Sequence, residues 1–167
     1  LALNLATRII STSEDIAVVA RFHLLDPQKI SIIFNGLDTT KFHSSIPVSK
    51  SLEEKYKNKK VILTVRRLVP KNGIHFLVEA MPEIIKLVPN VTYIMIGTGR
   101  MENYIKDRIH ALGIEKYIDA IGQQDNALIP EFLARADVVV FPSTAESTSI
   151  ACAEAMSMGK IVVASRV

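Results

Sequence analysis

VILTVRRLVPKNGIHFLVEAMPEIIKL, residues 61–87, holds a strand, a glycine-closed loop and a helix in that order. VILTV (61–65) is a nearly continuous apolar run, the form taken by a parallel strand covered on both faces. Arg66 to Gly73 then breaks the run with three cations in six residues, Arg66, Arg67 and Lys71. Beyond Gly73, the apolar positions Ile74, Leu77, Val78, Met81, Ile84 and Ile85 recur at three and four, which predicts a helix with one buried face. Four more β-rich runs follow: TYIMI (92–96), YIDAI (117–121), DVVVF (137–141) and IVVAS (161–165). MENYIKDRIHALG (101–113) repeats the helical pattern and ends on Gly113, a C′ position. Strand and helix alternate in steps of roughly 20 to 30 residues, which predicts an α/β fold with a Rossmann-like, doubly wound parallel sheet.

The first 45 residues are organised differently. They offer a strand-like piece (RIISTS, 8–13), a helix over about 14–24, a second strand (ISIIF, 30–34) and Asn35-Gly36, a turn signal because both residues accept φ > 0. From Asp38 to Ser51 the chain is polar and irregular, with Pro47, and reads as a linker. Lysines crowd into SKSLEEKYKNKK (49–60), which reads as a solvated stretch.

Bulk properties narrow the function. Apolar residues make up 49% and charged residues 22%, ordinary for a globular chain, and no apolar run approaches the roughly 20 residues of a membrane span. The opening LALNLAT lacks the basic start and cleavage site of a signal peptide. One cysteine, Cys152, excludes internal disulfides and a cysteine metal site, and points to a cytoplasmic setting. A net charge of +3 is too small to argue for nucleic acid but suits an anionic small ligand. His23, His43, His75 and His110 lack metal-ligand spacing, no Asp-x-Asp pair exists, and no metal site is expected.

Open α/β sheets bind ligands outside the carboxyl ends of their strands, so the residues after each run matter most. These are Arg66–Gly73, Gly97-Thr98-Gly99-Arg100, Gly122-Gln123-Gln124-Asp125 and Pro142-Ser143-Thr144-Ala145-Glu146. Together they bring cations, small residues, hydroxyls and a carboxylate to one sheet edge, where a helix N-terminus beside arginine and lysine suits a phosphate or diphosphate. Arg66 and Arg67 alternate sides if the strand continues, so one is expected in the cleft and the other at the surface. A hydroxyl among Ser147–Ser149 is expected to cap the next helix, with Glu154 on it and Glu146 just before it. Eight residues of helical rise separate the two carboxylates by roughly 12 Å. Acid/base pairs in glycoside hydrolysis sit about 5 to 9.5 Å apart, so the spacing fits an elongated ligand held at two hydroxyl-rich ends better than a catalytic pair.

With these residues in hand, the chain resembles the C-terminal, donor-binding domain of retaining GT-B-fold glycosyltransferases, the glycosyl transferases group 1 family. Asn35-Gly36-Leu37-Asp38 with Phe42 resembles the family's interdomain Asn-Gly-Val-Asp-x3-Phe. Arg67 to Gly73 resembles its Gly-Arg-Leu-x-x-x-Lys-Gly loop, Gly97-Thr98-Gly99 its Gly-x-Gly turn, and Ala136-Asp137 through Ser143 its Ala-Asp-x4-Pro-Ser strand. Glu146 through Gly159 matches Glu-x7-Glu-Ala-Met-x-x-Gly. Three positions depart from the pattern: Arg66 stands where the family has glycine, Asn72 where it often has lysine, and Ser147 where it usually has glycine.

The resemblance implies the following roles. Glu154 binds the donor ribose, Glu146 the hydroxyls of the transferred sugar, and Arg67 and Lys71 neutralise the diphosphate. Ser147, Thr148 and Ser149 line the sugar-phosphate pocket, with Gly97 of the Gly-x-Gly turn also binding the donor and the Gly122 segment facing the base. The implied substrate is a UDP- or GDP-type sugar, transferred with retention and without metal or other cofactor to an acceptor glycan or lipid-linked glycan. Residues 1–46 are then the end of an N-terminal acceptor domain with its linker, and 47–167 the donor domain. The expected Gly-Gly-x-x-Glu stretch, the closing helices and most of the acceptor domain are absent, so the chain is expected to be a piece of a longer protein, inactive alone. The family also implies the cytoplasm, with the inner membrane face a compatible place for the full protein. The rival readings are a non-catalytic nucleotide-sugar-binding or interaction module and a sugar-nucleotide epimerase of the same fold.

Overall fold

Ser13 sets the second helix. In the computed structural model, which describes residues 2–24 and 26–167, α1 (Ala2–Leu5) precedes β1 (Ile9–Ser11). The Ser13 hydroxyl accepts from the Ile16 amide at 3.3 Å and caps α2 (Glu14–Phe22), whose first turn carries Glu14 and Asp15 against the helix dipole. β2 (Ile30–Ile32) then pairs in parallel with β1, making a small two-stranded unit. The first residue of LALNLAT, and Leu25, lie outside the described residues.

Asn35-Gly36 does not turn: neither residue has positive φ, and the chain runs on without a bend. The reason is topological. A hairpin turn needs an antiparallel partner next, whereas β2 has its parallel partner behind it and the chain must travel to another sheet. Asp38 makes the turn instead, its carboxylate accepting from the Thr40 amide (3.0 Å), the Thr40 hydroxyl (2.6 Å) and the Lys41 amide (3.2 Å). Phe42, inside the segment read as a polar linker, is buried in the core of the larger sheet. The Ser157 hydroxyl donates to its carbonyl at 2.6 Å.

The lysine-rich stretch is only partly solvated. It forms α3 (Lys50–Lys55), and Tyr56 at its end is 3% exposed, donating its hydroxyl to Asp119 at 2.6 Å. Burial pushes the Tyr56 phenol up to about 12, so it remains a donor at neutral pH.

From Lys60 the chain alternates strictly: β3 (Lys60–Val65), α4 (Ile74–Leu87), β4 (Val91–Ile96), α5 (Glu102–Ala111), β5 (Ile118–Gly122), α6 (Ile129–Arg135), β6 (Val138–Phe141), α7 (Ile150–Ser157) and β7 (Ile161–Ala164). The five strands lie parallel in the order β5-β4-β3-β6-β7. The chain therefore winds outward from β3 in one direction, then returns past it to wind in the other, the doubly wound arrangement expected from the apolar runs.

Alternation along the strands feeds two cores. Val61, Leu63, Ile94, Ile96 and Val139 join Phe132 and Leu133 of α6 and Ala155 of α7 on one face. Tyr93 and Met95 join Leu77, Val78 and Met81 of α4 and Ile105 of α5 on the other. Buried Thr64 and Tyr93 satisfy each other's hydroxyls at 2.8 Å, so their polar atoms do not tax the core. Asp137 clamps β6 to β3: its amide donates to the Val61 carbonyl at 2.9 Å, and its carboxylate accepts from the Val61 amide at 2.8 Å. Burial alone would raise the Asp137 carboxyl, but the Val61 amide, Lys60 and Arg135 outweigh it and hold the group below its ordinary value.

Two outcomes follow from this packing. Leu63→Ala should lose about 2–5 kcal/mol of unfolding free energy in a urea titration, since Leu63 is fully buried at the centre of the sheet. A carboxyl held low contributes stability above its ordinary pKa of 3.8 and loses it as pH falls through the lower folded value. Urea midpoints measured across acid pH should therefore fall less steeply in Asp137→Asn than in the parent, with the parent more stable at neutral pH.

Candidate functional site

The ladder between β3 and β6 consists of Ile62↔Val138 and Leu63↔Val139. Beyond that pairing the two strands feed separate loops, one carrying Arg66–Gly73 and the other Pro142–Ser149, at the point where the sheet order reverses. Open α/β sheets place their ligands at this switch point. The loops are nevertheless locked together. The Lys71 carbonyl accepts from the Thr144 amide at 2.7 Å and from its hydroxyl at 3.3 Å. Gly73 has φ +66°, and a Cβ there would stand 1.7 Å from the Pro142 carbonyl oxygen, so the approach admits only glycine. Asn72, where lysine was expected, is buried and donates its side-chain amide to the Arg67 carbonyl at 2.8 Å. It therefore shapes the loop rather than reaching a ligand.

Arg67, Lys71 and Arg100 surround one depression on this edge with Val69 and Pro70. None of these three side chains has an ionic or hydrogen-bonding partner among the described residues. Arg67 also borders a larger opening of about 620 Å³, lined by Gly97–Gly99 and by Gln123–Asn126. That size lies within the roughly 300–1,000 Å³ typical of small-molecule sites. Gly97 (φ +138°) lets the backbone pass against Arg66, where a Cβ would meet its carbonyl oxygen at 1.9 Å. Gly122 acts through its backbone: its carbonyl accepts from the Gly97 amide at 2.8 Å, while the residues after it line the opening.

The second loop holds the hydroxyls. Ser149 caps α7, accepting from the Cys152 amide at 3.3 Å, as the capping argument required. Ser147 and Ser149 line a crevice with Glu146, Ser143, Cys152 and Asp15 of α2. Thr148, expected to line the same pocket, instead donates its hydroxyl to the Thr12 carbonyl at 2.9 Å and ties the loop to the small unit. Burial pushes the Cys152 thiol up, with Arg66 opposing, so the thiol stays protonated at neutral pH.

Arg66 overturns the expectation that only one of the two arginines faces the cleft. Both line it: Arg67 is exposed, while Arg66 turns inward to bond Glu146, Ser143 at 2.9 Å and Ser149 at 3.3 Å. Sequence periodicity could not find this, because β3 ends at Val65 and alternation stops with it.

Glu154 sits on α7 as expected, half-buried, and lies outside the crevice that holds Glu146. Its carboxyl is pushed up by burial and drawn back by Lys41. The Lys41 ammonium bonds Asn126 at the rim of the larger opening, which connects Glu154's surroundings to that opening. Glu146 lines the crevice whereas Glu154 lines neither the crevice nor the larger opening, and the structure does not bring the two glutamates together as a pair. Arg100, quoted in the loop after Gly97-Thr98-Gly99 but given no role, lines the depression; Lys41, which motif spacing did not single out, stands beside the larger opening through its bond to Asn126.

Comparisons with known proteins agree with this architecture. The profile of the family described as Glycosyl transferases group 1 matches residues 46–167. An uncharacterized glycosyltransferase of Methanocaldococcus jannaschii is 32% identical over 148 residues, covering 83% of the chain and 37% of that relative. The Escherichia coli UDP-Gal:alpha-D-GlcNAc-diphosphoundecaprenol alpha-1,3-galactosyltransferase is 31% identical over 174 residues, covering 99% of the chain and 44% of the relative. The crystal structure of Anabaena HepE in complex with UDP and glucose superposes with a TM-score of 0.82 at 27% identity, covering 98% of the chain and 45% of HepE. The chain thus spans less than half the length of these relatives. On its GT-B-like parallel sheet and the match across residues 46–167, the chain belongs to the glycosyl transferases group 1 family.

Proposed function

We propose that the chain is the donor-binding part of a glycosyltransferase that moves a sugar, with retention and without a metal ion, from a nucleotide diphosphate sugar to an acceptor hydroxyl. The observation that carries this reading is the ring of three unpartnered cations, Arg67, Lys71 and Arg100, at the switch point of the sheet. Three exposed positive charges without counter-ions focus a positive potential on this edge and draw an anion to it. In sugar transfer the bond from the anomeric carbon to the diphosphate breaks and negative charge builds on the departing oxygen. Fixed cations aimed at that charge lower the barrier most, and here they take the part a divalent ion plays elsewhere.

In this reading the diphosphate lies between Arg67 and Lys71, the nucleoside enters the larger opening beside Gly97 and the Gly122 segment, and Glu154 meets the ribose. The sugar enters the crevice of Ser147, Ser149 and Glu146. The relatives support a UDP-type donor, HepE being solved with UDP and glucose and the E. coli enzyme named for UDP-Gal. Residues 1–46 would close an acceptor domain and 47–167 hold the donor, with a glycan or lipid-linked glycan as acceptor and the cytoplasm, at the inner membrane face, as the setting. Among the described residues no helix is long and apolar enough to cross a membrane. A second reading, a nucleotide-sugar-binding module without turnover, draws on one observation: both Glu146 oxygens are already engaged, by Arg66 and by the Ser147 amide at 3.3 Å.

Isothermal titration with UDP, GDP and ADP, with and without magnesium, tests the proposal. One nucleotide should bind with an affinity that EDTA leaves unchanged; no binding by any of the three in a folded protein would sink the donor reading. Arg67→Ala and Lys71→Ala should each weaken the diphosphate at least tenfold while affecting the nucleoside alone little, as expected for one charge-assisted contact of about 1.5–3 kcal/mol. Glu154→Ala should weaken diphosphate and nucleoside alike, because a ribose contact is common to both; a loss confined to the diphosphate would remove Glu154 from the ribose.

A further inference from the structure

Arg66 is the feature that the donor reading leaves unused. Its side chain is 13% exposed and that of Glu146, its counter-ion, 20% exposed, so the pair is largely withdrawn from solvent. Burial lowers the guanidinium from its ordinary value. Its Nε is buried without an acceptor, while Phe141 lies under the planar group at 5.6 Å. A half-buried ion pair with one idle donor is a poor source of stability, because removing two charges from water costs about what their attraction returns. Its geometry is what it supplies. One nitrogen holds both Glu146 and Ser143 and the other holds Ser149, the N-cap of α7. Three points of the 143–149 loop are thereby pinned to the end of β3.

Resting on the proposed donor site, we infer that Arg66 is a positioning residue that sets sugar recognition by clamping the Glu146 carboxylate in its binding orientation. A carboxylate offers about four lone-pair sites. Arg66 and the Ser147 amide occupy one on each oxygen, which leaves two aimed away from the clamp, enough to accept two neighbouring hydroxyls of a hexose. Thr144 and Thr148 anchor the loop backbone on either side, but without the clamp the Glu146 carboxylate keeps only the Ser147 amide among the described residues, and each sugar contact must first order that side chain. Arg66, at the position where the resembled family pattern has glycine, is one of the residues that line the crevice. The ligand class is a neutral hexose with adjacent hydroxyls; the crevice also carries Asp15, so its carboxylates outnumber its single cation and an anionic sugar is disfavoured.

The test is the sugar increment, the ratio of the dissociation constant of the bare nucleotide to that of its diphosphate sugar, measured by titration calorimetry with UDP and UDP-glucose, GDP and GDP-mannose, and ADP and ADP-glucose. Arg66→Met keeps the stem over Phe141 and removes the fork, and its increment should fall roughly tenfold, the equivalent of one charge-assisted bond. Arg66→Lys, which keeps the charge but not the fork, should recover part of that loss. In the double variant Arg66→Met/Glu146→Gln the increment should equal that of Glu146→Gln alone, because Arg66 acts only through Glu146. Thermal unfolding followed by circular dichroism selects the variants that are folded; should Arg66→Met not fold, Arg66→Lys carries the same comparison against Glu146→Gln. An increment that Arg66→Met leaves unchanged, or additive losses in the double variant, overturns the clamp while nucleotide binding leaves the donor reading standing. If no nucleotide binds, both fall together.

Discussion

The site depends on one junction, the contact between the loop after β3 and the loop after β6. Gly73 passes so close to the Pro142 carbonyl that no side chain fits, and the Lys71 carbonyl takes both the amide and the hydroxyl of Thr144. Backbone contacts of this kind cost little to keep once formed, because they bury no unpaired polar atom. They decide how the loop that carries Arg66, Arg67 and Lys71 stands against the loop that carries Glu146. Arg67 and Lys71 project outward from the locked loop, and Arg66 turns inward to the hydroxyls and Glu146 beside α7.

The junction forms because the sheet is doubly wound. β3 is central, with β4 on one side and β6 on the other, although β4 follows it directly and β6 only after two further helices. Two packed faces hold these strands in register, and Asp137 secures the entry to β6 by a reciprocal pair of bonds with Val61. The carboxyl ends of the strands are left as the place where backbone amides and long side chains meet solvent. Function at this edge and stability in the two cores are thus separable, so substitutions at Leu63 and at Arg67 should fail in different ways.

Charge at the edge is divided by depth. Exposed Arg67, Lys71 and Arg100 stand without partners, whereas Arg66 has spent its charge on Glu146. The first group is available to an external anion; the second has become part of the wall. Two arginines adjacent in sequence therefore do opposite work, and nothing in their residue types distinguishes them.

Much of the architecture was legible from the chain alone. Apolar runs of five residues, spaced by helical periodicity, dictate parallel strands with helices on both faces, because each run can be buried only between two layers. A hydroxyl cap among Ser147–Ser149, which the structure places on Ser149, and the αL residue at Gly113 were equally readable, since hydroxyl capping and left-handed backbone are local properties. What depended on distant partners was not readable. Asn35-Gly36 carries a turn signal yet runs straight, because no antiparallel strand follows it; Phe42 and Tyr56 lie in polar surroundings in sequence but in the core in space. Thr148 was drawn to Thr12, 136 residues earlier, and Arg66 to Glu146, 80 residues later. Residue identity and spacing determined the strands, the helices and the kinds of groups brought to one edge. Only the tertiary structure decided which of those groups remain free for a ligand, because a charge is spent or spared by what the fold places beside it.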